Sequence, residues 1–195
     1  MKLHELTGYK QDPYYQKAVE LFKKYNITTN EKISLFADYM RKHGFNILGS
    51  GALGIAFEKP NYPWVFKMFF DDEGYLYYYN YARSHQNNPH VPKTKGGPLK
   101  LTDDSHNGKL YLVRIEKLNP LPNDAPFTDP AIHEIINLEY PDSLTPDIEE
   151  IIASKYPLII PILKDILNSG FAIDLHTGNI MMRDNTPVIT DPLIT

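Results

Sequence analysis

Cysteine is absent from the sequence, which excludes disulfides, thiolate-bound zinc and a cysteine nucleophile. No apolar run approaches the length needed to span a bilayer, and the opening MKLHELTGYK carries no apolar core of signal-peptide length. A cytoplasmic protein without a membrane partner is therefore expected. An excess of one charge is lacking too: 24 acids against 20 bases leave a formal net charge of −4. Nothing in that balance draws the chain toward nucleic acid, and no nucleic-acid partner is expected. Internal repeats and low-complexity tracts are also missing. What is present is apolar side chain, 42% of 195 residues with 12% aromatic. That suffices for a buried core in one domain or in two joined lobes.

Asp12-Pro13 reads as an N-cap followed by proline at the first helical position. In the helix beginning there, Tyr15, Val19 and Phe22 share a face, with Lys17, Lys23 and Lys24 away from it. A second helix runs through EKISLFADYMRKH, entered at Thr29 or Asn30 and stopped by Gly44. Ile33, Phe36, Ala37 and Met40 form its apolar stripe. Both helices are expected to brace the strands downstream of Gly44.

Phe45 to Glu58 contains a strand, the pattern Gly49-x-Gly51-x-x-Gly54, and a second strand. A dinucleotide-binding fingerprint would open a helix here. Instead a Pro60-Asn-Tyr-Pro63 turn comes next, then a third apolar run, Trp64 to Phe70, carrying Lys67. Prolines so close together forbid a continuing helix. A glycine turn between strands lets backbone N–H groups approach phosphate oxygens and tolerates positive φ. Lys67 lies in an otherwise apolar strand and calls for an anionic partner. Glu73, the only glutamate between Lys67 and Glu116, opens the next helix and is the candidate. The tyrosines of that helix are expected to pack.

Two short strands, Leu99–Leu101 and Lys109–Ile115, joined by the polar turn Asp103–Gly108, complete a five-stranded antiparallel sheet. The proline-stiffened connection Ile115 to Pro122 can present the main chain of Glu116 and Leu118 to a purine edge. Asp129-Pro130 starts a helix running to about Glu139, and Thr145-Pro146 starts another. Ile151 to Ile166 makes that second stretch strongly apolar, with Pro157 and Pro161 dividing it and Gly170 ending it.

Near the end, the polar run Asp174-Leu-His176-Thr-Gly-Asn179 sits between the apolar segments Phe171–Ile173 and Ile180–Met182. A hairpin turning at Asp184-Asn185 then leads through Thr190 into Asp191. Such a hairpin places Asn179 and Asp191 at one end, as two oxygen ligands for Mg²⁺, and leaves Asp174 facing a nucleophile.

Glycine loop, strand lysine, D-L-H-x-x-N loop and hairpin-borne aspartate, in this order from Phe45 to Thr195, resemble the protein-kinase-like superfamily. The D-x-H-x-x-N form is most similar to its aminoglycoside-phosphotransferase and atypical-kinase branches and to small bacterial and phage kinase-like proteins. The resemblance implies an α+β bilobal fold. Residues 1–44 would be a helical extension, 45–116 an N-lobe with the five-stranded sheet, and 117–195 a minimal, mostly helical C-lobe. It implies that Gly49, Ser50, Gly51 and Gly54 cover the phosphates of ATP, that Lys67 contacts them, and that Glu73 pairs with Lys67. It further implies that Asp174 is catalytic, that Asn179 and Asp191 bind Mg²⁺, and that His176 supports the loop or touches substrate. Departures are Ala172-Ile173 where His-Arg is usual, Pro192-Leu193 where Phe-Gly is usual, and no activation segment in the four residues after Asp191. The expected activity is Mg-ATP-dependent transfer of the γ-phosphate to a hydroxyl of a protein or small molecule. The alternatives are a pseudokinase that binds nucleotide or a partner protein, and an AMP transferase.

Overall fold

The computed structural model describes residues 12–25, 33–51, 53–102 and 108–195. Helix entry at Thr29 or Asn30, the side chain of Ile33, Ala52 of the glycine turn and all of the Asp103–Gly108 turn except Gly108 lie outside the described residues. The chain is mixed α+β and divides into two compact units, Met1–Asp71 with Thr94–Lys117, and Asp72–Lys93 with Leu118–Thr195. This differs from a division at 44 and 116. The N-terminal helices share one hydrophobic cluster with the sheet, and Tyr78 and Ala82 share another with the C-terminal helices.

The first unit contains α1 (Pro13–Tyr25), α2 (Ile33–Lys42), β1 (Asn46–Ser50), β2 (Gly54–Glu58), β3 (Trp64–Phe70), β4 (Leu99–Lys100) and β5 (Leu110–Glu116). The strands form the expected five-stranded antiparallel sheet, in the order β1-β2-β3-β5-β4. Alternation along β3 sends Phe66, Met68 and Phe70 to one face, where they join Phe57, Leu112 and the buried side of both helices. Phe66 lies between Phe57 and Tyr62, with ring centroids 5.4 Å apart on each side. On α1 the buried face is Tyr15, Ala18, Leu21 and Phe22. Val19 is only half-buried, because the buried stripe centres near Ala18 and the next residue is rotated about 100° away from it. Gly44, at φ +76, ends α2 as expected.

A buried charge cluster ties α1 to the sheet. Asp12 caps the helix by accepting the Tyr15 N–H at 3.1 Å. Its other carboxylate oxygen accepts from Arg114 of β5 at 2.7 Å, from Lys95 at 3.2 Å, and from the Tyr62 hydroxyl. Arg114 is 2% exposed, so the pair sits out of water, and its guanidinium lies 4.2 Å from the Tyr15 ring centroid. Burial pushes the Asp12 pKa up, but hydrogen bonds from Tyr62, the Tyr15 N–H and Lys95 outweigh it and hold the carboxyl below its ordinary value.

The second unit contains α3 (Glu73–Ser84), β6 (Asn119–Pro120), α4 (Ala125–Thr128), α5 (Pro130–Ile136), α6 (Pro146–Lys155), α7 (Ile160–Leu167), β7 (Ala172–Ile173), β8 (Ile180–Arg183), β9 (Thr186–Ile189) and β10 (Leu193–Ile194). Asp129 caps α5 and Thr145 caps α6 through their side chains, as their sequences imply. α5 stops at Ile136, earlier than Glu139. Pro157 opens a 3-10 turn after α6 and Pro161 sits in the first turn of α7, so the two prolines divide the apolar stretch. α7 ends at Leu167, with Asn168 as its cap; Gly170, at φ +83, turns the chain beyond the helix and does not terminate it. Ile132, Ile135, Ile152, Ile162, Leu163 and Ile166 form the core with Tyr78 of α3. The proline-stiffened connection also contributes a strand: β6 pairs with β8 at the edge of a three-stranded sheet, β6-β8-β9, where a proline is tolerated. β10 pairs with β7.

Removing Asp12 leaves the buried Arg114 without that carboxylate, so Asp12→Ala should cost about 3–5 kcal/mol of stability in urea unfolding. Lys95→Ala, which removes a more exposed partner, should cost less than about 1 kcal/mol.

Candidate active site

The polar run 174–179 leaves β7 and enters β8, and its middle is fixed by Leu175, which is buried in the helical core. Asn179 is also buried. Its amide nitrogen donates to the Asp174 backbone carbonyl at 2.8 Å and to Asp174 Oδ2 at 3.0 Å. Both amide hydrogens are thereby committed, and the Asn179 Oδ1 is the atom left to act as a ligand. Asp174 is half-buried; with Oδ2 facing Asn179, its Oδ1 is left for solvent or substrate.

Asp191 is brought to the same place by its neighbours in the chain. Thr190 donates to the Asn179 carbonyl twice, through its N–H at 2.8 Å and its hydroxyl at 3.0 Å. On the other side, the Asp174 N–H donates to the Pro192 carbonyl at 2.8 Å, and Leu193 pairs with Ile173. Residues 190–193 therefore run between Asn179 and Asp174, with the half-buried Asp191 at their centre. The β8–β9 hairpin, in register Ile180↔Ile189, carries the two arms, and Asp184 at its turn adopts φ +53. The Tyr78 hydroxyl donates to the Ile189 carbonyl at 2.7 Å. Burial, above all, pushes the phenols of Tyr75 and Tyr78 well above their ordinary pKa, and the charge of Asp191 adds to it, so both stay neutral.

The first turn of α3 is stitched to the same segment. Asp72 caps it through the Tyr75 N–H at 2.9 Å, while the Thr195 hydroxyl accepts the Glu73 N–H at 3.0 Å. A Cβ on Gly74 would come within 3.0–3.1 Å of the backbone of Leu193 and Ile194. Glycine at 74 is what lets β10 lie this close to the helix.

His176 acts inside the loop. Its Nδ1 accepts the Gly178 N–H at 3.0 Å, which places the proton of the neutral ring on Nε2, 3.7 Å from Asp174 Oδ2. A Cβ on Gly178 would approach His176 Cε1 to 2.8 Å, so a larger residue there would displace the imidazole from this position. Support of the loop is the role this geometry displays for His176.

The other residues singled out by sequence are spread over both units. In the first unit, β1 and β2 form the hairpin around the glycine pattern, closed by the Gly51 N–H to the Gly54 carbonyl at 2.9 Å. None of Gly49, Gly51 and Gly54 has positive φ, so the tolerance of left-handed backbone that glycine offers is not used at these three positions. Gly54 is required by close approach, since a Cβ there would stand 2.6 Å from the Met68 carbonyl. Gly49 and Gly51 have open space where a Cβ would be. Ser50 is exposed at the end of β1. Lys67 is half-buried on β3 opposite Ala56 and Val113, on the face away from α1 and α2. Glu116 ends β5 opposite Trp64. In the second unit, Glu73 is exposed at the start of α3, and Leu118 is half-buried just before β6. Among the described residues, no group of three His, Asp or Glu side chains could hold a metal ion by itself.

Sequence reasoning missed the residues that hold the hairpin in place. Thr190 is one. Another is the loop at 89–91: Arg183 donates to the Pro89 carbonyl at 2.6 Å and the Val91 carbonyl at 3.0 Å, and His90 Nδ1 meets the Pro187 carbonyl at 2.8 Å. These are contacts across about ninety residues of chain, and no local pattern announces them.

Burial lowers the His90 pKa; the Pro187 hydrogen bond works against this and the charge of Arg183 adds to it. The unfolded chain then binds the extra proton first, so stability should fall as pH drops below about 6.5, the ordinary histidine value. Urea midpoints at pH 7.5 and pH 5.5 should differ in the wild type, and His90→Gln should lose part of that difference.

No known family matches the chain, and no curated protein matches it significantly, so the site stands on its own residues.

Proposed function

We propose that this chain is a Mg-ATP-dependent phosphotransferase of protein-kinase-like type, transferring the γ-phosphate to a hydroxyl of a protein or a small molecule. The observation that carries it is the arrangement of Asp174, Asn179 and Asp191. One carboxylate has an oxygen turned away from its amide partner, one amide has its nitrogen committed and its oxygen left over, and Asp191 lies on a segment that backbone bonds tie to both residues.

The donor set suits Mg²⁺, which prefers hard oxygens and is commonly held by one or two protein donors together with phosphates and water. Asn179 Oδ1 and Asp191 would hold it. That no three-residue cluster among the described residues could hold a metal unaided is in keeping with a cation that arrives with a nucleotide. Bound there, Mg²⁺ would neutralise charge on the phosphate oxygens. Asp174 Oδ1 would accept the proton of the acceptor hydroxyl as its oxygen attacks the γ-phosphorus and ADP departs. Asn179 holds Asp174 in orientation through its bond to Oδ2, so the carboxylate need not reorganise during transfer.

In the first unit, the Gly49–Gly54 hairpin would present backbone N–H groups to phosphate oxygens. The open space at Gly49 and Gly51 is what such an approach needs. Lys67 would contribute the positive charge. In the second unit, a cavity of about 290 Å³ is lined by Pro120, Leu121, Pro122, Asn123, Thr177, Gly178, Ile180 and Met181. None of these side chains is charged, so the cavity suits the nucleoside end of the ligand better than its phosphates.

Mg-ATP at a hundred times its dissociation constant should stabilise the protein by about 2.7 kcal/mol. A thermal melt that does not move at millimolar Mg-ATP would sink the proposal. Label carried on the γ-phosphate, and not on the α-phosphate, should reach an acceptor in cell extract; the reverse would indicate AMP transfer. Asp174→Asn should abolish labelling while keeping the thermal shift, and Lys67→Ala should slow labelling. A thermal shift without turnover in the wild type would leave a nucleotide-binding module.

A further inference from the structure

Thr190 does more than continue β9. Its N–H and its hydroxyl both end on the Asn179 carbonyl, at 2.8 and 3.0 Å, and the side chain is buried. A carbonyl oxygen has two lone pairs. The backbone bond alone would extend the hairpin beyond Ile189, as any residue at 190 could. The hydroxyl supplies the second bond, which saturates the oxygen and stops the 179–180 peptide from tilting. Asn179 is then held at both ends, since its amide nitrogen is committed to Asp174 at 2.8 and 3.0 Å. Only Oδ1 remains to it.

The other end of this clamp is the residue that precedes Asp191. A threonine is β-branched and has few χ1 choices, so fixing its hydroxyl also fixes the backbone from which the Asp191 side chain departs. Beyond Asp191, the Pro192 carbonyl is held by the Asp174 N–H at 2.8 Å. A short circuit of bonds through Thr190 therefore fixes the backbones of Asn179 and Asp191 relative to one another. A serine could close that circuit; valine, of the same shape, could not.

Resting on the reading of Asn179 and Asp191 as ligands of Mg²⁺, we infer that Thr190 is a positioning residue for the metal pair, acting through Asn179 and never touching the ion itself. Partners one step removed from a metal tune affinity by about 10–100-fold. Thr190→Val should accordingly raise the Mg²⁺ concentration needed for half of the ATP-dependent thermal shift by about tenfold. Thr190→Ser should restore the wild-type requirement.

The experiment is a Mg²⁺ titration of the full chain at fixed ATP, read by thermal shift, with a parallel Mn²⁺ titration read by electron paramagnetic resonance. Unliganded melting temperatures are recorded for each variant. A higher metal requirement in Thr190→Val, with Thr190→Ser like the wild type, supports the inference. A lowered unliganded melt with an unchanged metal requirement means the hydroxyl only stabilises the hairpin, and overturns it. Should Thr190→Val fail to fold, Thr190→Ser against Thr190→Ala supplies the same comparison. A wild type that shows no metal-dependent shift removes the proposed function and this inference together. A wild type that binds while Thr190→Val matches it removes the inference alone.

Discussion

Two backbone hydrogen bonds assemble the candidate site: Thr190 N–H to the Asn179 carbonyl, and Asp174 N–H to the Pro192 carbonyl. They draw residues 190–193 between the two arms of the polar loop. Without them, Asp191 would be an acidic residue at the end of a hairpin with no neighbour to act with. Each bond contributes only about 0.5–1.5 kcal/mol by itself. They hold because the surroundings are already rigid. Leu175, Ile180 and Ile189 are buried in the helical core, and the 89–91 loop braces the hairpin through His90 and Arg183.

The two units solve the same problem, holding charge in a dry place, by similar means. In the first, Asp12 gathers a helix N–H, Arg114, Lys95 and Tyr62 around one carboxylate. In the second, Asp129 caps α5 and accepts from Lys155 at 2.8 Å and Tyr156 at 2.6 Å. There too burial works to raise the pKa, and the bonds from Lys155 and Tyr156 overcome it. Both aspartates were legible only as helix caps. Their role in joining a helix to partners 26 to 102 residues away depends on which strands and helices become neighbours.

Local chemistry made much of the site readable. Alternation and the Pro60–Pro63 turn place β2 and β3, and Gly44 stops α2 where its left-handed conformation is observed. The hairpin at Asp184-Asn185 comes from two short apolar runs flanking a polar turn. The glycine pattern left open why each glycine is there: none takes positive φ, one is needed for close packing on Met68 and two leave open space. Gly170 misled. A glycine marks a turn without stating which residue ends the helix before it, and here the cap is Asn168.

The amino-acid order settled the elements and the candidate side chains: Asp174, His176, Asn179 and Asp191 within eighteen residues, and a lysine on an apolar strand. Periodicity and turn residues act over a few positions, and that range is enough for such features. Tertiary structure alone decided that Asn179 commits its amide nitrogen to Asp174, that His176 turns Nδ1 to Gly178, and that Thr190 clamps the carbonyl behind the amide. Directional bonds of this kind form only after packing has brought the backbone groups within about 3 Å, and no spacing in the chain records which of several possible partners that will be.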